Sequence, residues 1–404
     1  MKQKSKLCLL SFVTLATFVL SGYAQPLTVD QQDYDAIAEK IVNNSLEIQP
    51  GEVVFIVGNP AELDLLSSLV VAVSKAGGQP TIQLDLPEAY KRAIMETPIE
   101  YLKMTPTYPL MQARIADCFI GIASIQDPKL LADIPEERMA ASRKALLPIS
   151  NALNRAHYRS ANLGQAGGIP TLAFAESRGA NYDEMLTMFW KSLDVDYKQM
   201  LSMGQIITNA LKPNSIVKIS SETGTNLTFK ISDIPSRTNC GRCAENISAS
   251  GPSSVWLPAG EAYACVNPTS ASGTVVISST EYRGNTVKNL KLTFENGQIT
   301  DLTADENGDL ILESLEMSTG AKNVLSVIDI GLNPNSQPLE GSNYYSYEMG
   351  GMVSIGIGNN SWAGGNLVSD FGLGLFLANS TLTVDGKIIV SNGQLAVEES
   401  MARK

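Results

Sequence analysis

The first half of the chain alternates between two kinds of hydrophobic pattern. Apolar residues recur at helical spacing over residues 33–46 and 61–76, and short apolar runs follow at residues 53–57 and 80–84. Such runs are typical of strands that are buried on both faces. Helices that alternate with buried strands across short turns predict an α/β fold with a mainly parallel sheet. The same patterns predict strands at residues 116–122 and 169–174 and helices at residues 135–147 and 182–209.

The pattern changes after residue 211, where short segments of alternating polar and apolar residues begin. Turn dipeptides such as Asn296-Gly297 and Asp385-Gly386 separate these segments, which indicates β-hairpins. We therefore expect a mostly antiparallel β-rich second half, with helices near residues 310–319 and 367–377. The mature chain is predicted to consist of an α/β domain over residues 25–210 and a β-rich domain over residues 211–404.

Residues 1–24 have the three parts of an export signal. Three lysines precede an apolar stretch over residues 7–20, and small residues follow where a signal peptidase would cut. The apolar stretch is shorter than the ~20 residues that a membrane-spanning helix needs. We therefore expect a cleaved signal peptide, a periplasmic or secreted protein, and no membrane association after cleavage.

The charge balance narrows the class of partner. The net charge is −11, and lysine and arginine form no cluster in the mature region. Nucleic acid is therefore not an expected partner, because binding to its phosphates requires a basic face.

Four cysteines remain after removal of the signal: Cys118, Cys240, Cys243 and Cys265. In an exported protein an even number permits disulfides, and three pairings are open. Cys118 lies in an apolar run and is predicted to be a buried thiol. Cys240 and Cys243 have CxxC spacing, but zinc needs four ligands and no second CxxC or nearby histidine accompanies them. We predict a short disulfide or two free thiols for this pair.

A single carboxylate, Glu261, stands at a predicted junction between a loop and a strand. It follows Leu257-Pro-Ala-Gly260 and precedes an extended run over residues 262–266. Rigid junctions of this kind are where folds present ligand-binding groups. The alternative interpretation is a solvated residue at the exit of an ordinary turn.

A series of short motifs, taken in order, resembles the metallo-aminopeptidases of the aminopeptidase S and T type. The similarity extends over nearly all of the mature sequence, and the motifs that carry it include Gln49-Pro-Gly-Glu52, Ala76-Gly-Gly78, Leu257-Pro-Ala-Gly-Glu261, Ile330-Gly-Leu-Asn333, Met349-Gly-Gly351 and Gly364-Gly-Asn366. The resemblance implies an α/β domain, a β-rich domain that carries two metal ions, a homodimer, and release of amino-terminal residues from peptides.

The resemblance also implies a set of metal ligands, of which this sequence keeps one. Two divalent ions of Mn, Mg, Co or Zn would supply a Lewis acid and a hydroxide nucleophile. Glu261 matches the first ligand. Alignment on the neighbouring glycines places other residue types at the remaining positions: Val327, Tyr347, Ser354, Phe371 and Leu373. The one histidine of the chain, His157, lies in the other half.

Three acids near the missing ligands are candidate substitutes. Asp329, Glu348 and Asp370 lie within three residues of those positions, and with Glu261 they would form an oxygen-only site suited to Mg²⁺, Mn²⁺ or Ca²⁺. A shift of one residue along a strand turns a side chain to the opposite face, so an outward orientation is the alternative.

Aromatic residues are enriched around the same motifs. The candidates for a ligand cleft are Tyr344, Tyr345, Tyr347, Ser354 and Trp362. Such a cleft would suit a small molecule or a small peptide, whereas packing in the core is the alternative.

Two functions of different classes remain open. The first is an exported, metal-dependent aminopeptidase that uses Glu261 and neighbouring acids. The second is a catalytically silent extracytoplasmic protein that binds a small molecule or peptide without a metal ion.

Overall fold

The computed structural model describes residues 33–122, 124–155, 158–164, 168–243 and 253–396. The expected signal sequence, residues 1–24, and His157 lie outside these ranges. The helices are α1 (Tyr34–Lys40), α2 (Leu63–Lys75), α3 (Pro87–Glu96), α4 (Ile99–Leu102), α5 (Thr107–Ile115), α6 (Glu136–Arg155), α7 (Leu172–Ser177), α8 (Tyr182–Leu193), α9 (Tyr197–Ala210) and α10 (Gly308–Met317). No helix in the described ranges is long and apolar enough to span a membrane.

The strands form three sheets. Their bounds are β1 (Val53–Gly58), β2 (Gln79–Leu84), β3 (Cys118–Ile122), β4 (Arg159–Leu163), β5 (Ile216–Ser220), β6 (Asn226–Lys230), β7 (Arg237–Asn239), β8 (Ser253–Leu257), β9 (Glu261–Cys265), β10 (Ser272–Tyr282), β11 (Asn285–Glu295), β12 (Gln298–Thr303), β13 (Leu325–Gly331), β14 (Val353–Gly358), β15 (Gly372–Leu377), β16 (Thr381–Val384), β17 (Lys387–Ser391) and β18 (Gln394–Leu395).

The first sheet is parallel, with strand order β2-β1-β3-β4-β8. Strands β1 and β3 are apolar and largely buried, and the parallel pairing confirms the predicted α/β fold with a mainly parallel sheet. The last strand, β8, comes from the second half of the chain and pairs with β4. The chain therefore returns to the parallel sheet after it has begun the β-rich region.

The other two sheets are antiparallel, as the alternating pattern of the second half predicts. One has eight strands in the order β12-β11-β10-β6-β5-β16-β17-β18, and the other has five in the order β15-β14-β13-β9-β7. Asn296, Asp385 and Asn392 adopt positive φ in the hairpin turns, each directly before a glycine. A continuous apolar core joins residues from all three sheets, and the described residues from Tyr34 onwards form one compact unit.

Two element predictions are wrong and one is incomplete. Residues 172–177 form helix α7 rather than a strand, because the Thr171 hydroxyl accepts from the Phe174 amide and begins a helix. Residues 372–377 form strand β15 rather than a helix, because they pair with β14. The helix predicted over residues 182–209 is two helices, since the Asp196 carboxylate caps the start of α9.

Candidate functional site

The turn that precedes Glu261 links the parallel sheet to the five-stranded antiparallel sheet. The chain leaves β8 at Leu257, crosses three residues and enters β9 at Glu261. The Asn333 amide donates hydrogen bonds to the carbonyl of Ala259 at 2.7 Å and to that of Ser192 at 2.9 Å. Gly260 has a φ of 145°, and an added Cβ would lie 2.6 Å from the Asn333 Cβ. Glycine is therefore required there, and Glu261 is held at a fixed place.

Beside Glu261, one face of the antiparallel sheet forms a pocket of about 380 Å³, which we call the Glu261 pocket. Side chains alternate between faces along each strand, so Asp329 and its cross-strand neighbour Ser354 both point into it. Val327 and Phe376 extend the same face. The lining residues are Trp256, Glu261, Val327, Asp329, Tyr347, Ser354, Ile355, Gly356, Trp362, Gly374 and Phe376.

Two acids at this pocket form a buried pair. Glu261 and Asp329 are 5% and 7% exposed, and their carboxyl groups hydrogen-bond to each other. Burial raises the pKa of Glu261 to about 7, although hydrogen bonds from Asn239 and Asp329 lower it in part. Burial and the neighbouring Glu261 charge raise the pKa of Asp329 well above its usual range. The neutral form of Asp329 is therefore favoured.

A third acid, Glu348, lies behind Tyr347 rather than on the pocket wall. Its carboxylate accepts from the Tyr347 hydroxyl at 2.6 Å and from the Ser336 hydroxyl at 3.2 Å. Burial raises the pKa of Glu348 to about 8, and the Glu261 charge adds to this effect. Glu348 thus holds Tyr347 in place.

Two polar atoms of the Glu261 pocket lack hydrogen bonds. Asp329 Oδ1 and Ser354 Oγ are buried and have no partner among the described residues. A buried polar atom without a partner costs about 1–3 kcal/mol. These two atoms are therefore the polar groups that a ligand in the pocket would gain most by contacting.

The residues of the pocket do not fit a two-metal centre. Val327, Tyr347 and Ser354 line it together with Glu261. Valine has no ligating atom, and the Tyr347 hydroxyl already donates to Glu348. Within the described ranges, no group of three or more histidine, cysteine, aspartate or glutamate side chains is arranged to hold a metal ion. Two ions would need several such ligands each.

The last two residues that the motif alignment places at ligand positions do not line the pocket. Phe371 and Leu373 belong to the main core and do not line the pocket. Gly374 and Phe376 line the pocket instead, because they lie opposite Gly356 and Ser354 on the neighbouring strand. Neither of them carries a ligating side chain.

Other predicted site residues lie elsewhere. Asp370 is exposed, and its carboxylate accepts from the Thr319 amide at 2.6 Å and the Thr319 hydroxyl at 3.2 Å. Tyr345 is buried and packs edge-on against Tyr344 with ring centroids 4.9 Å apart. Neither tyrosine lines the Glu261 pocket. Their clustering in the sequence reflects core packing, the alternative interpretation.

Sequence reasoning missed the aromatic wall that faces Trp362. Trp256 and Phe376 line the pocket, and neither was a candidate. Trp256 directly precedes the Leu257-Pro-Ala-Gly-Glu261 motif, so its closeness to a ligand position was the available signal. Phe376 carries no local signal, because only the pairing of β15 with β14 brings it to the pocket.

In the described ranges, all four cysteines are buried and none is joined in a disulfide. The Cys240 sulfur lies 3.4 Å from the Met200 carbonyl, and the Cys243 sulfur lies 3.2 Å from the Ser160 carbonyl. Of the two predictions for the CxxC pair, the structure therefore has two thiols rather than a disulfide.

The fold and the pocket define a class of protein. The family model described as thermophilic metalloprotease (M29) matches residues 30–349, and the chain belongs to this family. Similar proteins include aminopeptidase AmpS of Bacillus subtilis strain 168, which is 23% identical over 342 residues (78% of this chain, 80% of AmpS). Aminopeptidase PepS of Streptococcus thermophilus is 21% identical over 338 residues (77% of this chain, 79% of PepS).

Two solved structures share the fold. Wild-type AmpT from Thermus thermophilus superimposes with a TM-score of 0.61 at 14% identity, over 90% of this chain and 98% of AmpT. The 2,5-dihydroxypyridine dioxygenase from Pseudomonas putida KT2440 gives a TM-score of 0.58 at 14% identity, over 92% of this chain and 98% of the dioxygenase. The aminopeptidase-type resemblance and the architecture inferred from the sequence are thereby confirmed.

Proposed function

We propose that this M29-family protein is a catalytically silent, extracytoplasmic binding protein whose Glu261 pocket takes a small ligand without a metal ion. The ligand is a small molecule or the terminal residue of a peptide. The observation that supports this proposal is that Val327, Tyr347 and Ser354, which the motif resemblance aligns with metal ligands, line one pocket with Glu261.

The pocket walls indicate the chemistry of the ligand. Trp256, Trp362 and Phe376 present aromatic surface, which suits an apolar or aromatic body. The unpartnered atoms Asp329 Oδ1 and Ser354 Oγ favour one hydrogen-bonding group at the buried end. A ligand with both features would bury apolar area and satisfy these atoms.

Metal analysis and an activity assay test the proposal together. The purified protein is incubated with Mn²⁺, Co²⁺ or Zn²⁺, separated from free metal, and assayed for bound ions and for cleavage of aminoacyl amides. We expect well under one ion per chain and no turnover. Two tightly held ions per chain with amino acid release would overturn the proposal.

A metal-dependent aminopeptidase is the second candidate. The names of AmpS and PepS favour it, as does the electrostatic interaction among Glu261, Asp329 and Glu348. In that case a chelator abolishes cleavage of aminoacyl amides, added Mn²⁺ or Co²⁺ restores it, and Glu261→Gln removes it.

Export and dimerisation complete the proposal. The sequence of residues 1–24 supports a cleaved signal, so fractionation of cells and amino-terminal sequencing should find the mature chain outside the cytoplasm. The family resemblance supports a homodimer, which sedimentation of the purified protein measures directly. An uncleaved cytoplasmic chain would contradict the extracytoplasmic role.

A further inference from the structure

A second pocket, which we call the Glu62 crevice, lies at the carboxyl edge of the parallel sheet and has a volume of about 410 Å³. It shares no lining residue with the Glu261 pocket. The strand order β2-β1-β3 means that the chain leaves β1 towards one side of the sheet and later continues from β3 towards the other. The crevice outside such a reversal is the usual ligand position in open parallel sheets.

The ends of β1 and β3 are tied together at the crevice. The Asn59 side-chain amide donates to the Ser124 carbonyl at 3.1 Å, and its oxygen accepts from the Ala61 amide at 3.0 Å. This arrangement fixes the short 3₁₀ turn Pro60–Glu62 that carries Glu62. The acid is thus placed by backbone structure rather than by a flexible loop.

Glu62 is 6% exposed, and its two carboxylate oxygens have different surroundings. Oε2 accepts from the Asn59 amide at 2.7 Å, which caps the turn. Oε1 is buried and has no hydrogen bond of good geometry among the described residues. Burial raises the pKa of Glu62, although hydrogen bonding with Ser124 and Asn59 lowers it in part. Capping therefore accounts for one oxygen and leaves the other available to a ligand.

The charged and aromatic side chains of the crevice indicate the charge of its ligand. Asp64 also lines it, and no lining residue, all of which are described, is basic. Tyr34, Tyr182 and Trp190 supply aromatic surface, with Tyr34 and Trp190 edge-to-face at 5.9 Å between centroids. Aromatic faces attract cations and carboxylates pair with them, whereas an anion would meet only negative charge here.

We propose that the Glu62 crevice is a second small-molecule site that binds an organic ammonium ion with an apolar or aromatic body. The ammonium group donates to Glu62 Oε1, and the body lies against Tyr34, Tyr182 and Trp190. This proposal does not depend on the function assigned to the Glu261 pocket.

The three tryptophans allow each pocket to be observed separately. Trp190 lines the Glu62 crevice, while Trp256 and Trp362 line the Glu261 pocket. In protein labelled with 5-fluorotryptophan, the three ¹⁹F resonances are assigned from single tryptophan-to-phenylalanine variants. The probes are benzylammonium chloride and benzyl alcohol, a neutral molecule of nearly the same shape, each titrated at neutral pH.

We expect benzylammonium to shift the Trp190 resonance saturably, and benzyl alcohol to bind at least about tenfold more weakly, since a charged hydrogen bond is lost. Glu62→Gln should weaken benzylammonium binding by a similar factor, while the exposed control Glu88→Gln on α3 leaves it within about twofold. Without ligand, the Trp256 and Trp362 resonances of Glu62→Gln should match those of wild type, which verifies that the variant is folded.

Three outcomes overturn the proposal: an unmoved Trp190 resonance, equal affinity for the two probes, or unchanged affinity in Glu62→Gln. The comparison of the two probes uses wild-type protein, so it holds even when the variant fails to fold. Movement confined to Trp256 and Trp362 would place the amine in the Glu261 pocket, which overturns the crevice proposal and leaves the proposed function intact.

Discussion

At the scale of single residues, the protein buries acids in surroundings that raise their pKa values. Glu261, Asp329 and Glu348 are all nearly inaccessible, and burial is the largest cause of each raised pKa. No basic residue lines the Glu261 pocket, whose lining lies wholly within the described ranges. The neutral form of each acid is therefore favoured, and this has a measurable effect on stability.

The first prediction concerns the pH dependence of unfolding. Glu348 has a folded pKa of about 8 against an ordinary value of 4.5, so the folded state binds its proton more tightly than the unfolded state does. The free energy of unfolding should fall as pH rises from about 4.5 to about 8 and then level off. Glu348→Gln removes this ionisation, so its stability relative to wild type should be greater at high pH than at low pH, by up to about 5 kcal/mol at about 1.4 kcal/mol per pKa unit.

Denaturant unfolding of both proteins across this pH range measures the difference. The matched control is Glu340→Gln, because Glu340 is exposed and its replacement should leave the pH profile of wild type unchanged. A parallel pair of profiles for wild type and Glu348→Gln would contradict burial of an ionisable group at this position.

The second prediction concerns the introduction of metal-ligating side chains into the Glu261 pocket. Val327→Glu combined with Ser354→His places two ligating side chains on the wall that Glu261 and Asp329 already share. We expect bound Zn²⁺ or Mn²⁺ to rise to about one ion per chain, since three or four ligands suffice for a single ion. Metal analysis of the purified variant measures this.

The control for that variant carries Glu261→Gln as well, which removes the inherited ligand and should abolish the gain. If the double variant takes up no more metal than wild type, the identity of these residues is not what prevents metal binding. The backbone of the pocket would then be the obstacle.

At the scale of elements, the site depends on how β8 ends and β9 begins. The sequence predicts the turn before Glu261 and its extended continuation, and both are present. It does not predict that Asn333 fastens this turn, because the contact joins residues 74 positions apart. The Ile330-Gly-Leu-Asn333 motif, which the resemblance places beside a metal ligand, therefore has a structural role in this chain.

The third prediction tests that role. Gly260→Ala forces a Cβ to within 2.6 Å of the Asn333 Cβ at a φ of 145°. We expect a loss of about 3 kcal/mol or more in the free energy of unfolding. Asn333→Ala removes two hydrogen bonds that the side chain donates and two that it accepts, and should cost about 2–4 kcal/mol.

Gly372→Ala is the matched control, because an added Cβ there meets nothing within 4 Å and its φ is not positive. It should change stability by less than about 0.5 kcal/mol. Equal effects of Gly260→Ala and Gly372→Ala in denaturant unfolding would show that the turn is not held by close contact.

The sequence analysis did not predict strand β4, because this buried strand contains polar residues. Strand β4, Arg159–Leu163, contains arginine, serine and asparagine and reads as a loop. It is buried because Arg159 pairs with Glu52, and the Ser160 hydroxyl hydrogen-bonds to that of Ser254 at 2.7 Å on β8. These partners come from distant segments, so no local pattern reveals them.

At the scale of the whole molecule, the sequence predicts the architecture, but the architecture does not determine the chemistry. Alternating helices and apolar runs establish the parallel sheet, and hairpin dipeptides establish the antiparallel region. The same fold occurs in AmpT and in 2,5-dihydroxypyridine dioxygenase, proteins whose names denote different reactions. Function here must be argued from the side chains on one sheet face.

The position of β8 has a consequence for ligand effects. Trp256 on β8 and Glu261 on β9 belong to different sheets, are joined by a four-residue link and line one cavity. A ligand bound in this cavity would contact both sheets and so add a noncovalent link beside the covalent one. The ligand would have to dissociate before the two sheets could separate. A bound ligand should therefore raise the melting temperature of the whole chain, with unfolding still in one cooperative step.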